Sequence, residues 1–562
     1  MIPGQFDDPA LRTLGRILRI QAEQKPDVPF VKCDEGSFTY SEADDTADRI
    51  AMGLSQLGVT RGDNVAILAG NRPDLVPLVF GINRLGAVWV PTDTAFRGTW
   101  LERSLQDGKA RVLCVDAGFL PELEGIIANT SIEHVVVMGD PDSNFSDRMN
   151  VHPFAEIAFA SPLRTDLDIH YGETSAILWT SGTTGRPKGV MQSHNAWVRA
   201  SLTGASSART GDDDVLYCCL PMHNSAAWIS VVFRALVAGV PFGLDRSFSV
   251  STFWDRTRHF GATQAFTLGV MHMFLWNAPP TEADADNPVR CMGAIPMPDR
   301  LMEPFKKRFG IDIIQQGYGQ SEVMGLISRI DDDAHNWNPG TAGSPLPGIE
   351  VRLFDSEDRE VPVGDVGEFC VRPTEPFVLF NGYFADPEAT LAATRNLWYH
   401  TGDLGHVDED GQFYFVDRLR DLIRFKGRSV SSLAVEETVR SHPDVAQVAA
   451  FGIPSDELES EAEIMVAVVR KPGSALDARE LATYIAENAP YFLVPRYIDF
   501  LDELPQTPTG KVQKFLLKQA GRAPNTWDAR QEGFDPRRGV TPLKEPEEAA
   551  DRDERRSLRR TL

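Results

Sequence analysis

The sequence predicts an α/β protein with a large N-terminal domain and a small α+β domain towards its C-terminus. Its 562 residues are too many for one hydrophobic core, so at least two domains are expected. Up to about residue 400, short apolar runs alternate with helix-period segments, which is typical of parallel α/β layers. This pattern changes near Gly340 and again after Arg418.

The N-terminal elements alternate between strand and helix. Short apolar runs predict buried strands at 64–70, 86–92, 111–117 and 134–140. Apolar residues recur with a helical period at 45–58 and 74–86, which predicts helices there. Strands that alternate with helices favour a parallel sheet.

From Gly340 onward the runs become short and alternating, with Gly, Pro and Asp turns between them. They predict an antiparallel sheet or barrel that closes the large domain, with strands at 349–355, 367–373 and 412–418. After Arg418 the pattern predicts helices at 431–442 and 477–488 and strands at 445–454, 463–471 and 495–505. The predicted organisation is an N-terminal domain (1–417), a C-terminal domain (418–520) with a hinge near 418–421, and a charged, disordered tail (521–562).

Charge, cysteine spacing and apolar runs argue against several classes of function. The net charge of −24 argues against non-specific binding of nucleic acid or anionic membranes, since both need a basic face. None of the six cysteines forms a C-x-x-C pair, so neither a disulfide framework nor a zinc site is indicated. The sequence lacks a secretory signal pattern, and its apolar run at 228–244 carries Arg234 and is too short to span a bilayer. We expect a cytoplasmic protein with reduced thiols.

The stretch "TSGTTGRPKG" (180–189) predicts an anion-binding loop. Glycines let the backbone approach a ligand, successive N–H groups and hydroxyls donate to it, and a lysine adds fixed charge. The residues concerned are Thr180, Ser181, Gly182, Thr183, Thr184, Gly185 and Lys188. The loop follows an apolar strand and precedes the helical pattern "NAWVRASLTG", so we expect it at a strand's carboxyl end, where open α/β sheets bind ligands. A flexible surface turn is the alternative.

Two further features are visible in local geometry. Asp403 and Arg418 flank the turn "DEDG" (408–411) almost symmetrically and should meet across the base of a hairpin. They are a candidate ribose site or a plain cross-strand salt bridge. Lys511 lies in the turn "TPTGK", which projects it from a loop tip, where it can reach into a cleft or remain a solvated surface lysine.

Five motifs in order resemble those of the adenylate-forming superfamily of acyl-CoA synthetases, adenylation domains and luciferases. They are "TSGTTGRPKG" (180–189), "GYGQSE" (317–322), "WYHTGDLG" (398–405), "VDRLRDLIRFKGRSVS" (416–431) and "LPQTPTGKVQK" (504–514). The resemblance runs from Thr13 to Trp527. It implies a large N-terminal domain of two layered α/β subdomains and a β-barrel-like subdomain, with a mobile C-terminal lid.

The resemblance also implies a two-step reaction. A carboxylate attacks the α-phosphate of ATP to give an acyl-adenylate and diphosphate, and a thiol then displaces AMP. ATP, Mg²⁺ and coenzyme A are the implied cofactors. Because charge builds on the phosphoryl group, the site must supply preorganised cations and donors.

The implied roles fall on matching residues. Lys511, Glu322 and Thr184 are the implied catalytic residues, and Thr184 and Glu322 the metal ligands. Nucleotide contacts are implied for the loop residues above and for Gly317, Tyr318, Gly319, Gln320, Ser321, Asp403, Phe415 and Arg418. Tyr318 would line the adenine pocket, although most tyrosines are core aromatics. Arg420 is the implied hinge position, and Arg424 and Gly427 the coenzyme A contacts.

The acyl side departs from the family pattern. In "LPMHNSAAW" (220–228), His223 either replaces the family's aromatic residue, with Asn224 in place of its histidine, or keeps the histidine role after a one-residue deletion. The usual Gly-Gly-Ala-Pro is "GAIP" (293–296) here. His223, Trp228, Gly293 and Ala294 are therefore the candidate acid-binding residues.

The sequence leaves more than one candidate for the acid substrate. Segments 261–280, 492–500 and 525–530 look most like the crotonobetaine/carnitine-CoA ligase branch, so a carnitine-like acid and a short- or medium-chain or fatty acid are both candidates. Trp228, Trp254 and Trp276 could form a cage for a trimethylammonium group or simply pack in the core. The alternatives to an acid–CoA ligase are an enzyme that loads a carrier-protein thiol and a non-catalytic nucleotide-binding regulator. A homodimer is a candidate form of this protein, because dimers are common among members of the superfamily.

Overall fold

The computed structural model describes residues 6–139, 150–162, 168–180, 188–269, 271–331, 337–419, 421, 423–425, 428–455, 462–489, 491–506 and 512–535. Its contacts divide the chain into two compact units. The larger unit contains Met1–Thr401 and Gly405–Phe415, and the smaller unit contains Gly402–Leu404 and Val416–Leu562. The domain limits given above stay a prediction.

One seven-stranded sheet contains the four strands predicted from the first apolar runs. From edge to edge it contains Asn150–Pro153, His134–Met138, Val112–Asp116, Asn64–Leu68, Val88–Pro91, Thr174–Thr180 and Lys188–Ser193. The pairs are parallel except the last, which is antiparallel. The predicted loop at 180–189 therefore connects two antiparallel strands and is not followed directly by a helix. The residues "KGVMQS" pair in antiparallel register with the strand Thr174–Thr180, and four of the six are buried.

A second, nine-stranded sheet also has a parallel centre. Its order is Ser344–Pro345, Ile327–Asp331, Ile313–Tyr318, Cys291–Ile295, Gln264–Leu268, Leu216–Cys218, Phe242–Leu244, Pro29–Cys33 and Gly36–Thr39. The six strands from Ile313–Tyr318 to Pro29–Cys33 in this order are parallel to one another. The two strands at one end and the single strand at the other pair in antiparallel fashion. N-terminal strands thus join a sheet built mostly from residues 216–345.

Helices cover these sheets in the larger unit. They are Leu14–Gln24, Tyr40–Gln56, Leu75–Arg84, Gly98–Gly108, Leu120–Leu123, Phe154–Ala158, His194–Ser207, Ser225–Ala227, Phe233–Ala238, Phe253–Phe260, Met271–Asn277, Asp299–Phe309 and Pro387–Ala393. The helix Tyr40–Gln56 begins with a reciprocal capping box between Thr39 and Glu42. Its apolar face joins a core in which the ring of Trp89 packs against those of Trp197 and Trp228.

A four-stranded sheet follows in the order Ile349–Phe354, Gly367–Pro373, Tyr399–Val407 and Phe413–Arg418. Its first pair is antiparallel, as the short alternating runs predict.

Among the described residues, the helices fall short of the length and apolar character needed to cross a bilayer. The six cysteines are free thiols.

The smaller unit is α+β. One sheet is ordered Val445–Pro454, Ala462–Arg470, Tyr497–Phe500 and Trp527–Asp528, and a hairpin pairs Ile423–Phe425 with Arg428–Val430. Its helices are Ser432–Arg440, Ala478–Asn488 and Lys514–Ala520. Two clusters of buried side chains form its own core, one of them packed around Ile464, Val466 and Leu481.

Candidate active site

The chain turns back sharply after the strand Ile313–Tyr318. A β-carbon on Gly317 would lie 2.5 Å from the carbonyl oxygen of Ile327, and one on Gly319 would lie 2.2 Å from that of Met324. Both distances are too short for any side chain. The two glycines of "GYGQSE" are thus required by close backbone approach, which fixes the path of the residues that follow.

Tyr318 lies between these glycines and is half-buried. Its ring centroid is 5.5 Å from that of Phe369 and 5.5 Å from that of Phe415. The tyrosine and Phe415, both implied nucleotide contacts, are therefore neighbours in one aromatic group. Their role in binding adenine stays a prediction.

Gln320 and Ser321 are fixed by neighbouring elements. The Gln320 side chain donates a 2.8 Å hydrogen bond to the Thr401 carbonyl and accepts one of 2.8 Å from the Tyr399 hydroxyl. The carbonyl of Ser321 accepts a hydrogen bond from the Gln192 side chain, which projects from the strand Lys188–Ser193. The "GYGQSE" segment is thereby joined to the strand that begins at the anion loop's lysine.

Glu322 is a buried carboxylate, with 8% of the residue exposed. Its Oε1 accepts a 2.9 Å hydrogen bond from the Tyr383 hydroxyl. Burial, together with the nearby Glu322 charge, raises the pKa of Tyr383 well above its usual range, so the phenol remains a donor. The ammonium of Lys188 lies 4.6 Å from the centroid of the same ring. Tyr383 lies 61 residues from Glu322 and outside the five motifs, so it is not among the residues predicted from the sequence.

The anion loop is described only at its two ends. Thr180 ends one strand and Lys188 begins the next, and the Thr180 hydroxyl donates to the Lys188 carbonyl at 3.3 Å. The residues between them, including Ser181, Gly182, Thr183, Thr184 and Gly185, lie outside the described residues. Their proposed contacts stay a prediction.

Asp403 and Arg418 meet as the hairpin predicts. Arg418 Nε lies 3.7 Å from Asp403 Oδ1, and the Leu419 N–H donates to the Gly402 carbonyl at 2.8 Å to close the base. The Asp403 side chain is 6% exposed and that of Arg418 is 47% exposed. The arginine can therefore stay hydrated while the carboxylate is shielded. Contact with a ribose stays a prediction.

Two of the acid-binding candidates, His223 and Trp228, line a small cavity. Its lining is Ile67, Ala69, Leu75, Trp89, Pro91, Met222, His223 and Trp228. The His223 side chain is 9% exposed, and its Nε2 lies 3.5 Å from Asp93 Oδ1. Burial lowers the pKa of His223. His223 lines this cavity, whereas Asn224, the N-cap of the short helix Ser225–Ala227, does not. Which of the two takes the role of the family's histidine stays a prediction.

The other acid-binding candidates are tightly packed. Trp228 is 1% exposed, and its Nε1 donates to the Met222 carbonyl at 2.6 Å. A β-carbon on Gly293 would lie 2.2 Å from the Phe266 ring, and Ala294 is fully buried. These contacts leave little room for a large ligand at this wall.

Trp254 and Trp276 pack elsewhere. The Trp254 ring stacks on Phe309 with centroids 4.7 Å apart, and the Arg308 guanidinium lies 5.5 Å from the centroid of the Trp276 ring. Both belong to a core cluster distinct from the one that contains Trp228. Core packing therefore accounts for these tryptophans, and the structure does not assemble the three into a cage.

Four further candidates belong to the smaller unit. Lys511 and Gly427 lie outside the described residues, as does the hinge candidate Arg420. Arg424 lies in the strand Ile423–Phe425, but its side chain is also outside the description.

One group of metal-ligand side chains is present in the part of the chain that the structure describes. Glu368, Cys370 and His400 are buried, with ligand atoms within 4.8 Å of one another. His400 Nδ1 already lies 2.8 Å from Glu368 Oε2, and Arg395 donates to the same oxygen at 3.1 Å. Because the carboxylate is paired with a cation and a ring nitrogen, the group is a closed hydrogen-bond network.

Comparison with known proteins shows which families and relatives the chain resembles. The family model described as AMP-binding enzyme matches residues 18–384, and that of the AMP-binding enzyme C-terminal domain matches residues 434–511. A crotonobetaine/carnitine–CoA ligase of Citrobacter koseri is 30% identical over 495 residues, covering 86% of this chain and 93% of that protein. One from Salmonella typhi is 30% identical over 493 residues with the same coverage.

Solved structures share the fold. ATP-bound MatB from Rhodopseudomonas palustris superposes with a TM-score of 0.79 at 25% identity, covering 90% of this chain and 99% of that one. The anthranilate CoA ligase AuaEII in complex with anthranoyl-AMP gives a TM-score of 0.81 at 24% identity, covering 92% and 98%. Both likenesses confirm the predicted fold class, a large N-terminal α/β part with a small C-terminal domain.

Proposed function

The chain belongs to the AMP-binding enzyme family, as an AMP-forming acid–CoA ligase, and from this premise we propose which residues perform its two steps and which acid it takes. In the first step a carboxylate oxygen attacks the α-phosphorus of ATP, and the bond to diphosphate breaks. In the second step the sulfur of coenzyme A attacks the acyl carbon, the thiol proton is lost and AMP leaves. The observation that supports the site is the buried Glu322 carboxylate, which accepts a hydrogen bond from Tyr383, a residue whose ring centroid lies 4.6 Å from Lys188 Nζ.

A divalent cation fits this donor set. Mg²⁺ takes oxygen ligands and is usually held by one or two carboxylates plus substrate phosphates. Glu322 is a buried carboxylate with one oxygen oriented by Tyr383, and Thr184 is the second ligand implied by the family. When bound, Mg²⁺ would offset charge on the phosphate oxygens. Lys188 would add a fixed positive charge beside it.

The remaining assignments concern nucleotide and thiol. The proposed adenosine contacts are Tyr318 and Phe415 for the base and Asp403 with Arg418 for the ribose. Lys511 would supply a cation to the adenylation step, which brings two anions together. Arg424 and Gly427 are assigned to coenzyme A by family resemblance.

For the acid, we favour a short molecule with an apolar tail. Trp228, Gly293 and Ala294 are each closely packed, and the cavity lined by His223 and Trp228 has mainly aliphatic and aromatic side chains. Such a wall suits a short chain better than a long one.

A carnitine-like acid is the second candidate. Asp93 places a carboxylate 3.5 Å from His223, next to a cavity lined by Trp89 and Trp228. A quaternary ammonium group is attracted by aromatic faces and by a nearby negative charge. The relatives that are 30% identical are named for crotonobetaine and carnitine, which agrees with this option.

The test measures diphosphate release from ATP with a panel of acids, with and without coenzyme A, together with acyl-CoA formation. We expect Lys511→Ala to slow adenylation roughly 100-fold or more, the usual scale for loss of a transition-state charge partner. Lys471→Ala removes an exposed lysine of the same unit and should leave the rate unchanged. Equal rates for Lys511→Ala and the parent would contradict the role of Lys511.

The same assay separates the alternatives. Acyl-adenylate without transfer to coenzyme A would indicate a carrier-protein thiol, and nucleotide binding without turnover would indicate a regulator. Asp93→Asn distinguishes the acids: it should raise KM for carnitine-like acids if these are substrates, and leave KM for short apolar acids nearly unchanged.

A further inference from the structure

A short segment of the larger unit, residues 380–384, connects two phosphate-site elements. On one side, Asn381 N–H donates to the Met191 carbonyl at 2.7 Å, Met191 N–H donates to the Gly382 carbonyl at 3.0 Å, and Phe384 N–H donates to the Gly189 carbonyl at 2.7 Å. These bonds attach the segment to the strand that follows the anion loop. We call residues 380–384 the bridging segment.

On its other side the bridging segment is bound to the metal-ligand candidate. Phe380 N–H donates to the backbone carbonyl of Glu322 at 2.9 Å. The Glu322 side chain accepts from the Tyr383 hydroxyl, so both its backbone and its carboxylate are held by the same five residues. Any shift of the bridging segment would therefore move Glu322 and the loop's following strand together.

Tyr383 contacts two opposite charges with two different parts of one side chain. Its hydroxyl lies 2.9 Å from Glu322 Oε1, and the centroid of its ring lies 4.6 Å from Lys188 Nζ. The ring itself is fixed by Phe380, with centroids 5.0 Å apart. A tyrosine that is 6% exposed and packed in this way has little freedom to turn.

These contacts preorganise the Glu322 carboxylate and the Lys188 ammonium. A lysine side chain has four rotatable bonds and loses much freedom when it is fixed, and a carboxylate must be aimed to share a metal with phosphate oxygens. The hydroxyl aims the carboxylate, while the ring face attracts the ammonium. Tyr383 thus orients both charges without adding a charge of its own.

We propose that Tyr383 is a positioning residue that sets Glu322 and Lys188 together for the metal–ATP complex. This inference rests on the proposed function, since the two charges matter here only if they meet metal and phosphate. Tyr383 would touch neither the metal nor the phosphates and would act through Glu322 and Lys188.

The experiment uses the full chain and compares Tyr383→Phe, which removes the hydroxyl and keeps the ring, with Tyr383→Leu, which removes both. ATP–diphosphate exchange is measured against Mg²⁺ concentration at saturating acid. We expect Tyr383→Phe to raise the Mg²⁺ concentration for half-maximal rate roughly tenfold, the scale for losing a hydrogen bond to a charged group. Tyr383→Leu should in addition raise KM for ATP. Tyr414→Phe is the matched control, because its hydroxyl donates to Asp408 at 2.8 Å in a turn outside this site.

A binding measurement separates positioning from general damage. By calorimetric titration, Tyr383→Phe should weaken binding of ATP with Mg²⁺ while leaving AMP binding without metal within twofold of the parent. In the double variant with Glu322→Gln, the hydroxyl's effect on the Mg²⁺ dependence should vanish, since its partner has lost its charge.

Two results would overturn the proposal. One is an unchanged Mg²⁺ dependence in Tyr383→Phe while Glu322→Gln is impaired, which leaves the proposed function intact and removes only the tyrosine's role. The other is an equal loss of ATP and AMP binding with a lowered melting temperature, which would make Tyr383 a purely structural residue. If neither the parent nor any variant exchanges diphosphate, the proposed function falls as well.

Discussion

His194 is a buried histidine whose environment disfavours its charged form. It is 2% exposed at the start of the helix His194–Ser207, and its Nδ1 accepts from the Leu14 N–H at 3.4 Å. Burial lowers the pKa of His194 to about 4, although the nearby Glu173 opposes the shift. The folded protein therefore needs the neutral imidazole.

The sign of the pH effect follows from this shift. Because the pKa of His194 is about 4 in the fold and near 6.5 when unfolded, the unfolded chain takes up the proton first as pH falls. The stability linked to His194 is complete above about pH 6.5 and is lost towards pH 4. Between pH 7 and pH 5 the loss amounts to roughly 2 kcal/mol.

His194→Asn keeps a hydrogen-bond acceptor and removes the titration. We expect this variant to lose less stability than the parent between pH 7 and pH 5, measured as the unfolding free energy in urea at each pH. Carboxylates titrate in both proteins, so only the difference between them reports on His194. Parallel pH dependences would contradict the prediction.

At the same scale, the site shows which residues sequence reasoning can find. The pairing of Asp403 with Arg418 is predictable because a hairpin fixes which residues face each other, and the ion pair is present at 3.7 Å. Tyr383 could not be found in this way. Its contact with Glu322 depends on how two segments separated by 61 residues pack, and nothing local to either residue encodes that.

At the scale of elements, Gly319 determines how closely the chain can turn after the strand Ile313–Tyr318. A β-carbon there would lie 2.2 Å from the Met324 carbonyl oxygen and 3.2 Å from the Gly325 α-carbon. Backbone atoms cannot rotate away as a side chain can, so the turn must open. Opening it would displace Tyr318 and Glu322 together.

Gly319→Ala is therefore expected to lower the rate of ATP–diphosphate exchange at least tenfold and to destabilise the fold by about 1–3 kcal/mol. Gly211→Ala is the matched control, since a β-carbon there would meet nothing within 4 Å. Exchange and thermal melting are measured for both variants. A Gly319→Ala protein as active as the parent would show that the turn tolerates a side chain.

The positions of strands along the chain were easier to predict than their pairing partners in the sheets. The strands Asn64–Leu68, Val88–Pro91 and Val112–Asp116 lie within the runs predicted for them, because buried strands are short and apolar. The order of strands within a sheet could not be predicted. In the nine-stranded sheet, for example, Pro29–Cys33 pairs with Phe242–Leu244, more than 200 residues away, because parallel pairing is decided by helix packing over the whole sheet. The strand after the anion loop was missed because its glycine and lysine resemble loop residues.

At the scale of the whole molecule, the described chain contains separate hydrophobic cores. Leu78 is fully buried in a cluster that belongs to the larger unit, and Leu481 is fully buried in a cluster of the smaller unit. Neither cluster includes a residue of the other unit. A unit with its own core can unfold as its own cooperative transition.

Leu78→Ala and Leu481→Ala test this independence as a matched pair. Each removes the same atoms from a helix that faces a core, so each should destabilise its unit by about 2–5 kcal/mol. In calorimetry of the full chain we expect two transitions, with each substitution lowering the melting temperature of one of them. AMP should raise the transition that Leu78→Ala lowers, because the proposed adenine contacts, Tyr318 and Phe415, lie in the larger unit. A single transition that both substitutions lower equally would mean that the two cores unfold as one, and the lid movement implied by the family would then have to occur within one cooperative structure.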